Sequence, residues 1–100
     1  MRLSHEQIRW IIQIVSPRTG GTAEVFLFGS RLDDQARGGD VDLLIETDAP
    51  LTLIERAQIQ MELEARLGLP VDVVARARNV TPTPFQTLAR AQAARLELKP

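Results

Sequence analysis

The sequence predicts an α/β domain in which a small mixed β-sheet is flanked by helices. Three short apolar runs rich in β-branched and aromatic residues, at 23–28, 41–46 and 71–75, have the composition of buried strands. Three amphipathic segments each begin with a capping box, in which two polar side chains bond to the backbone at a helix N-terminus. The order helix, strand, strand, helix, strand, helix favours an α/β fold.

The first helix is predicted from Ser4 to about Val15. Ser4 and Gln7 form its capping box, and Pro17 is expected to end it. Its apolar residues recur at the spacing of one helical face, so this face should pack on the sheet. These residues are Ile8, Ile11, Ile12 and Val15.

The first two strands are joined by a polar segment. The first strand, 23–28, ends at Gly29, and the second, 41–46, begins beside Asp40 and Asp42. Because side chains alternate between the two faces of a strand, the two aspartates are predicted to share one face. The apolar residues between and after them then point into the core.

The second helix is predicted to carry two apolar stripes. Thr52 and Glu55 form its capping box, and it extends to about Leu67, where Gly68 ends it. At about 100° per residue the stripes lie roughly opposite each other, so only one can face the sheet. The other is expected to be covered by neighbouring helices or to contact another chain. The stripes are Ile54, Ala57, Met61 and Ala65 on one side, and Ile59, Leu63 and Leu67 on the other.

The third strand and the last helix complete the predicted domain. The strand, 71–75, places Asp72 on the face opposite Val71. Thr83 and Gln86 form the capping box of the last helix, with proline at its first position. The stripe that faces the sheet is predicted to be Phe85, Leu88, Ala89, Gln92 and Leu96.

Charge is nearly balanced along the chain. There are 12 Lys and Arg against 13 Asp and Glu, a net charge of −1, so no overall positive field favours a long nucleic acid as partner. The arginines of the C-terminal part are expected to form a solvated basic face, with contact to RNA or to an acidic protein as the open alternative. They are Arg76, Arg78, Arg90 and Arg95.

Composition and missing motifs exclude several classes of protein. The 100 residues, 44% hydrophobic, are expected to form one domain over residues 1–100. Cysteine is absent, which excludes thiolate zinc sites and cysteine nucleophiles, and nothing near the single histidine, His5, resembles a nucleophile elbow. No glycine-rich P-loop or dinucleotide motif occurs. No apolar stretch approaches the roughly 18 residues of a membrane span, so we expect a soluble cytoplasmic protein.

Two short motifs carry the chemistry. Gly29 and Ser30 end the first strand at a point where backbone amides could face a phosphate, and Asp40 and Asp42 follow after nine intervening residues. The Cα atoms of the two aspartates should lie about 6.5 to 7 Å apart, a spacing that suits a pair of divalent ions. Acidic side chains that converge without a counter-charge are costly, and a bound cation removes that cost. The pairing predicts a nucleotide-binding metal site.

These motifs resemble those of the nucleotidyltransferase superfamily that includes DNA polymerase β, and in particular its small stand-alone prokaryotic members, the minimal nucleotidyltransferases. The family pattern is a hydrophobic residue with Gly-Ser, a gap of about ten residues, Asp-hydrophobic-Asp, and a third acidic residue on a later strand. The resemblance extends over residues 23–74. The matching residues are Phe28-Gly29-Ser30, Asp40-Val41-Asp42 and Asp72.

The resemblance implies the nucleotidyltransferase fold and the transfer of a nucleoside monophosphate from a nucleoside triphosphate, with ATP as the expected donor, to a hydroxyl. Asp40 and Asp42 would hold two Mg²⁺ ions, and Asp72 would complete the metal site and help to deprotonate the acceptor. Gly29 and Ser30 would bind the β- and γ-phosphates.

Two arginines of the polar segment are further candidates for the nucleotide site. Arg31 and Arg37 could neutralise triphosphate charge through bidentate hydrogen bonds. The alternative is a solvated loop in which they pair with Asp33 or Asp34.

The resemblance also implies a partner. Minimal members are often paired with a small helical HEPN-type protein, as antitoxins that modify or mask a toxic RNase, and a chain of 100 residues leaves no room for a separate acceptor-binding domain. One alternative is a non-catalytic binding module that neutralises its helical partner by contact. Another is a nucleotidyltransferase that acts on a small molecule or an RNA. A homo-oligomer is also open.

Overall fold

Helices and strands follow one another as the sequence predicts, with one additional short strand near the end. The computed structural model describes residues 3–29 and 39–97. The elements are α1 (His5–Arg18), β1 (Glu24–Phe28), β2 (Val41–Thr47), α2 (Leu53–Leu67), β3 (Val71–Ala77), α3 (Pro84–Gln92) and β4 (Ala94–Arg95). All three predicted capping boxes are present, at the starts of α1, α2 and α3.

The strands form one mixed sheet in the order β3-β2-β1-β4. β2 runs antiparallel to β1 and parallel to β3, while β4 pairs with β1 in the antiparallel sense. α2 makes the crossover that a parallel strand pair requires. As a result, the end of β1 and the starts of β2 and β3 meet at one edge of the sheet, and the predicted site residues lie there.

One face of the sheet packs on α1 and α2 and holds the main core. Ile8, Ile11 and Val15 of α1 are buried against it, and Ile12 is partly buried. Each fully buried Leu, Ile or Val side chain stabilises the fold by roughly 1.5 to 3 kcal/mol. The strand residues on this face are Val25, Leu27, Val41, Leu43, Ile45, Val71 and Val73.

The packing of α2 shows which of its two apolar stripes is buried. Ile59 and Leu63 are fully buried and Leu67 is partly buried, whereas Ile54 is 70% exposed and Met61 is 68% exposed. The prediction that one stripe lies on the surface is therefore confirmed, and its contact with another chain stays a prediction. Like the other helices in the described ranges, α2 lacks the length and apolar character needed to cross a membrane.

α3 lies across the opposite face of the sheet. Phe26 and Leu44 are buried on this face, and Ala89 is the buried residue of α3. The guanidinium of Arg90 lies 4.0 Å from the centroid of the Phe26 ring. Because α3 has only nine residues, it covers part of this face and leaves Asp72, at the start of β3, exposed.

The outer edge of β3 is occupied by side chains rather than by another strand. Three hydrogen bonds from α2 and α3 satisfy backbone groups along this edge, which reduces its ability to pair with a strand from another chain. The bonds are Arg56 Nη1 to the Val73 carbonyl (3.1 Å), Gln86 Nε2 to the Ala75 carbonyl (3.1 Å) and the Val71 N–H to Glu64 Oε2 (3.0 Å).

The end of the first helix differs from the prediction. α1 continues past Val15 to Arg18, with Pro17 inside its last turn. A proline so close to the end forfeits little of the helical hydrogen bonding. The hydroxyl of Thr19 also donates to the Val15 carbonyl at 2.9 Å, so the helix closes after the proline rather than before it.

The stripe predicted for the last helix is largely wrong. Ala89 is buried as expected, but Phe85, Leu88 and Gln92 are exposed. Leu96 is buried but lies beyond α3, directly after β4, which the sequence analysis did not predict. The small Ala89 lets the helix approach the sheet closely, so that larger side chains project to either side of the contact.

Candidate active site

Gly29 ends β1 directly beside Asp42. Phe28, the residue before the glycine, is paired with Asp42 across β1 and β2. Gly29 has φ +78°, in the left-handed region that residues with a side chain rarely adopt. A Cβ added at Gly29 would overlap Asp42 Oδ2 and would lie 3.1 Å from Asp42 Cγ. Both the backbone conformation and the position of the carboxylate therefore require glycine here.

Asp42 and Asp72 face each other on neighbouring strands. They are direct partners in the parallel register of β2 and β3, and adjacent strands lie about 4.8 Å apart. Asp42 is half-buried and Asp72 is exposed, while Asp40 is exposed just before β2 begins. Strand alternation thus correctly places Asp42 and Asp72 on the sheet face opposite the main core, and the register adds that they are direct partners. The shared face of Asp40 and Asp42 stays a prediction.

The electrostatics of this cluster are unfavourable to a negative charge on Asp42. Burial of its side chain raises its pKa above the ordinary value of 3.8, and the negative charges of Asp72 and Asp40 and a side-chain hydrogen bond with Asp72 raise the pKa further. Among residues 3–29 and 39–97, no Lys or Arg forms an ion pair with Asp42 or Asp72. The described part of the chain therefore leaves the acidic pair without a counter-charge.

The donor chemistry of the pair fits a hard divalent cation. Asp42 and Asp72 offer only carboxylate oxygens, which are the ligands that Mg²⁺ prefers. Within the described ranges, no group of three or more acidic or histidine side chains is arranged as a complete metal site. The pair therefore fits as part of a ligand set, and the assignment of Asp40, Asp42 and Asp72 as metal ligands stays a prediction.

Three of the predicted nucleotide-binding residues cannot be placed against this geometry. Ser30, Arg31 and Arg37 lie outside the described residues. Gly29 is described, and a side chain at this position would meet the Asp42 carboxylate.

The C-terminal arginines do not form a free basic face. Each one has an acidic partner, so little positive charge is left for an RNA. The pairs are Arg76 with Glu46 (2.9 Å), Arg78 with Asp48 (2.8 Å) and Glu24 (3.2 Å), Arg90 with Glu46 (3.8 Å), and Arg95 with Glu24 (3.4 Å) and Glu97 (3.4 Å).

An aromatic pair that the sequence did not predict lies beside the carboxylates. The rings of Phe28 and Phe85 are T-shaped, with centroids 6.1 Å apart and an interplanar angle of 75°. Phe28 shares its sheet face with Asp42, its partner in the register. Strand alternation gives the position of Phe28, but only the path of α3 across the sheet brings Phe85 to it.

Comparison with known families identifies the chain. The model of the nucleotidyltransferase domain family matches residues 8–95, a range that contains Gly29, Asp40, Asp42 and Asp72. A search of curated proteins finds no match.

Solved structures share the fold. A Shewanella oneidensis HEPN toxin, tri-AMPylated and in complex with the MNT antitoxin, matches with a TM-score of 0.73 at 20% identity over 94% of this chain and 72% of the other. A toxin-antitoxin structure with AMP-PNP matches with a TM-score of 0.68 at 23% identity, covering 95% and 73%. A structure assigned as a candidate minimal nucleotidyltransferase matches with a TM-score of 0.65 at 28% identity, covering 93% and 96%.

The family match spans most of the chain, and the mixed sheet with three helices is the fold of these structures. The resemblance seen in the sequence motifs is thereby confirmed. The chain belongs to the nucleotidyltransferase domain family of enzymes.

Proposed function

We propose that this protein is a Mg²⁺-dependent nucleotidyltransferase that transfers AMP from ATP to a hydroxyl group on a small helical HEPN-type protein, as the antitoxin of that protein. The observation that carries the proposal is the pairing of Asp42 with Asp72 in register, without a counter-charge among the described residues. A cation bound with a triphosphate would supply the missing positive charge, which would explain why two acidic residues lie opposite each other.

The residues of the chain take distinct roles in this proposal. Asp40 and Asp42 would hold the ions, while Asp72 would complete the ligand set and accept the proton of the attacking hydroxyl. The hydroxyl oxygen bonds to the α-phosphorus as the bond to the leaving pyrophosphate breaks. Gly29 leaves the backbone open for the phosphates beside Asp42, and Ser30 binds them through its hydroxyl. Bound Mg²⁺ would offset the charge that develops on the triphosphate during transfer.

Arg31 and Arg37 are proposed to bind the triphosphate as well. They belong to the segment that joins Gly29 to Asp40 along the chain, and guanidinium groups suit phosphate oxygens through paired hydrogen bonds. Their contribution is expected to be to nucleotide affinity rather than to proton transfer.

The partner assignment follows the solved relatives. The fold is shared with the MNT antitoxin in complex with an AMPylated HEPN toxin, and with a toxin-antitoxin structure that contains AMP-PNP. These relatives support both an adenine nucleotide as donor and a helical protein as acceptor. A cytoplasmic location is part of the same proposal, since nucleoside triphosphates are its substrates.

The exposed stripe of α2 is the surface we propose for contact with another chain. Ile54 and Met61 are largely exposed there, although both are large apolar side chains. Exposed apolar side chains that share one helix face are typical of helix-mediated contacts. This surface lies on a different helix from the one that borders the carboxylates.

The principal alternative is a binding protein that neutralises its partner by contact alone. Asp40, Asp42 and Asp72 are all present, and a contact-only protein has no use for a half-buried acid whose pKa is raised by burial and by two acidic neighbours. This argues against the alternative. A nucleotidyltransferase for a small molecule or an RNA would use the same site, and the choice of acceptor in the assay separates it from the leading proposal.

The test is a transfer assay with the protein and a small all-helical protein encoded beside it. ATP labelled at the α-phosphate should label the partner in the presence of Mg²⁺, and ATP labelled at the γ-phosphate should not. The control is Asp42→Asn, which should leave no label on the partner. Partner binding without transfer of label would support the contact-only alternative. Label on a small molecule or an RNA would show that this molecule, and not the helical protein, is the acceptor.

A further inference from the structure

Two large apolar side chains in the first half of α3 are exposed, and one of them contacts the strand residue beside Asp42. Phe85 is 57% exposed and Leu88 is 60% exposed, although both lie on a helix that packs on the sheet. Residues three apart on a helix lie on the same side, so these two form one apolar strip along α3. Phe85 also contacts the ring of Phe28. We refer to Phe28, Phe85 and Leu88 as the apolar wall.

The apolar wall lies next to the carboxylates because strand pairing brings one of its residues, Phe28, beside Asp42. Phe28 is consecutive with Gly29 and is the register partner of Asp42, which in turn is the partner of Asp72. Side chains of directly opposed strand residues have Cβ atoms about 4.5 to 5.5 Å apart. Phe28 is therefore next to the Asp42 carboxylate, and Phe85 is one ring further away.

The other side of α3 is different. Gln86 and Arg90 project toward the end of the sheet where Glu46 and Arg76 form their ion pair. The helix thus has one side that faces charged groups and another that is apolar and exposed, and Phe85 on the exposed side contacts Phe28, the strand partner of Asp42.

We infer that the apolar wall binds the nucleobase of the donor nucleotide, with Phe85 as the stacking residue. This inference rests on the proposed function. If the phosphates of a nucleotide lie at Gly29 and Asp42, the uncharged planar base must occupy space beside them, and the wall offers an aromatic ring and no charged group. The T-shaped contact with Phe28 holds the Phe85 ring in place while more than half of the residue stays open to a ligand.

The experiment compares two ligands that differ in the base. Calorimetric titrations with ATP and with inorganic tripolyphosphate, both in excess Mg²⁺, are made on the whole protein. Phe85→Ala should weaken the binding of ATP by about tenfold, the loss expected from removing one base–aromatic stack. It should leave the binding of tripolyphosphate unchanged. Phe85→Tyr keeps the ring and should restore ATP binding.

Val80→Ala is the matched control. Val80 is also a large apolar residue, 53% exposed, but it lies just after β3, at the opposite end of this strand from Asp72. Its replacement should change neither titration. Melting curves of the variants check that the fold is kept.

Three outcomes would overturn the inference in different ways. If the wild-type protein binds neither ligand, the proposed function fails and the inference fails with it. If the wild-type protein binds ATP and Phe85→Ala binds it equally well, only the inference fails. If Phe85→Ala keeps its ATP affinity but loses transfer to the partner, the wall contacts the acceptor rather than the base.

Discussion

β2 and β3 carry two pairs of charged residues in the same parallel register, on the same face of the sheet, and the two pairs are built in opposite ways. Asp42 is opposite Asp72, and four residues further along Glu46 is opposite Arg76. The second pair is an ion pair of 2.9 Å in which the Glu46 side chain is only 7% exposed. The first is a pair of like charges with no cation beside it among the described residues.

We interpret this difference as one between an acid that serves stability and an acid that serves the proposed function. Glu46 is buried more deeply than Asp42, and the fold compensates it with Arg76 and Arg90. Asp42 instead faces Asp72, and burial together with the negative charge of Asp72 raises the pKa of Asp42. Proteins break local rules of this kind mostly at functional sites, so we assign the uncompensated pair to the proposed site and the compensated pair to the scaffold.

The largest effect is expected from Asp42→Asn. Transfer should fall by at least about 100-fold, because the amide removes a negative charge that the proposed cation requires. The fold should be kept, since Val41, Leu43 and Ile45, the residues of β2 in the main core, point to the other face. Transfer assays and melting curves in EDTA measure the two effects, and full activity in this variant would contradict the role of the pair.

The same variant has a predicted pH dependence. The pKa of Asp42 is raised in the folded protein, so its protonated form favours folding, and that contribution is lost as the pH rises through the folded pKa. In EDTA at neutral pH, Asp42→Asn should therefore melt at or above the temperature of the wild type. Its advantage should shrink as the pH falls toward 3.8, the ordinary value. An advantage that does not change with pH would show that charge is not its cause.

Gly29→Ala should act on the same pair from the neighbouring strand. The new Cβ would overlap Asp42 Oδ2, so the carboxylate must move and transfer should fall by about 10-fold or more. Gly20→Ala is the matched control, because Gly20 has φ +67° but no atom within 4 Å of an added Cβ. Both variants should lose about 1 to 2 kcal/mol of stability from the left-handed backbone, and equal activities in the two would show that the clash is unimportant.

Glu46→Gln should give the opposite result to Asp42→Asn. Loss of the buried charge leaves Arg76 without its partner and should lower the free energy of unfolding by about 3 kcal/mol, while transfer at a temperature below melting stays near the wild-type rate. Glu97→Gln is the control, since its pair with Arg95 is more than half exposed and should contribute less than about 1 kcal/mol. Chemical denaturation measures both, and a stable Glu46→Gln would remove the contrast between the two pairs.

The smallest effect is expected on the exposed stripe of α2. Here an exposed and a buried apolar residue of one helix can be compared, as the two charged pairs were. Met61→Glu should change the free energy of unfolding by less than about 0.5 kcal/mol and should weaken association with another chain. Leu63→Glu, at the fully buried position two residues further along the chain and on the opposite side of α2, should unfold the protein. Size-exclusion chromatography measures the association and melting curves measure the stability. If Met61→Glu associates as the wild type does, the exposed stripe is not an interface.

Local signals in the sequence proved reliable. The capping boxes depend on residues three apart, and the structure contains every predicted one. The alternation of β2 and β3 correctly placed Asp42 and Asp72 on one face of the sheet. By contrast, β4 has two residues and gains its hydrogen bonds from β1, so no local pattern marks it.

Features that depend on register or on helix placement could not be predicted. The partnership of Glu46 with Arg76 requires the parallel register, which the sequence did not specify. The exposure of Phe85 depends on α3 approaching the sheet through the small Ala89. The requirement for glycine at position 29 was visible as a turn signal, but its contact with the Asp42 carboxylate emerges only from the pairing of β1 and β2.

Ligand-dependent melting tests the central claim most directly, that the Asp42–Asp72 pair is kept uncompensated in order to bind a cation together with a nucleotide. Melting temperatures are measured for the wild type with ATP, with ATP and Mg²⁺, and with excess EDTA added to both. ATP with Mg²⁺ should raise the melting temperature well above ATP alone, by about 4 to 8 °C for each kcal/mol of binding. EDTA should erase the increase, and Asp42→Asn should not show it. A melting temperature that is unchanged by millimolar ATP and Mg²⁺ would contradict the account.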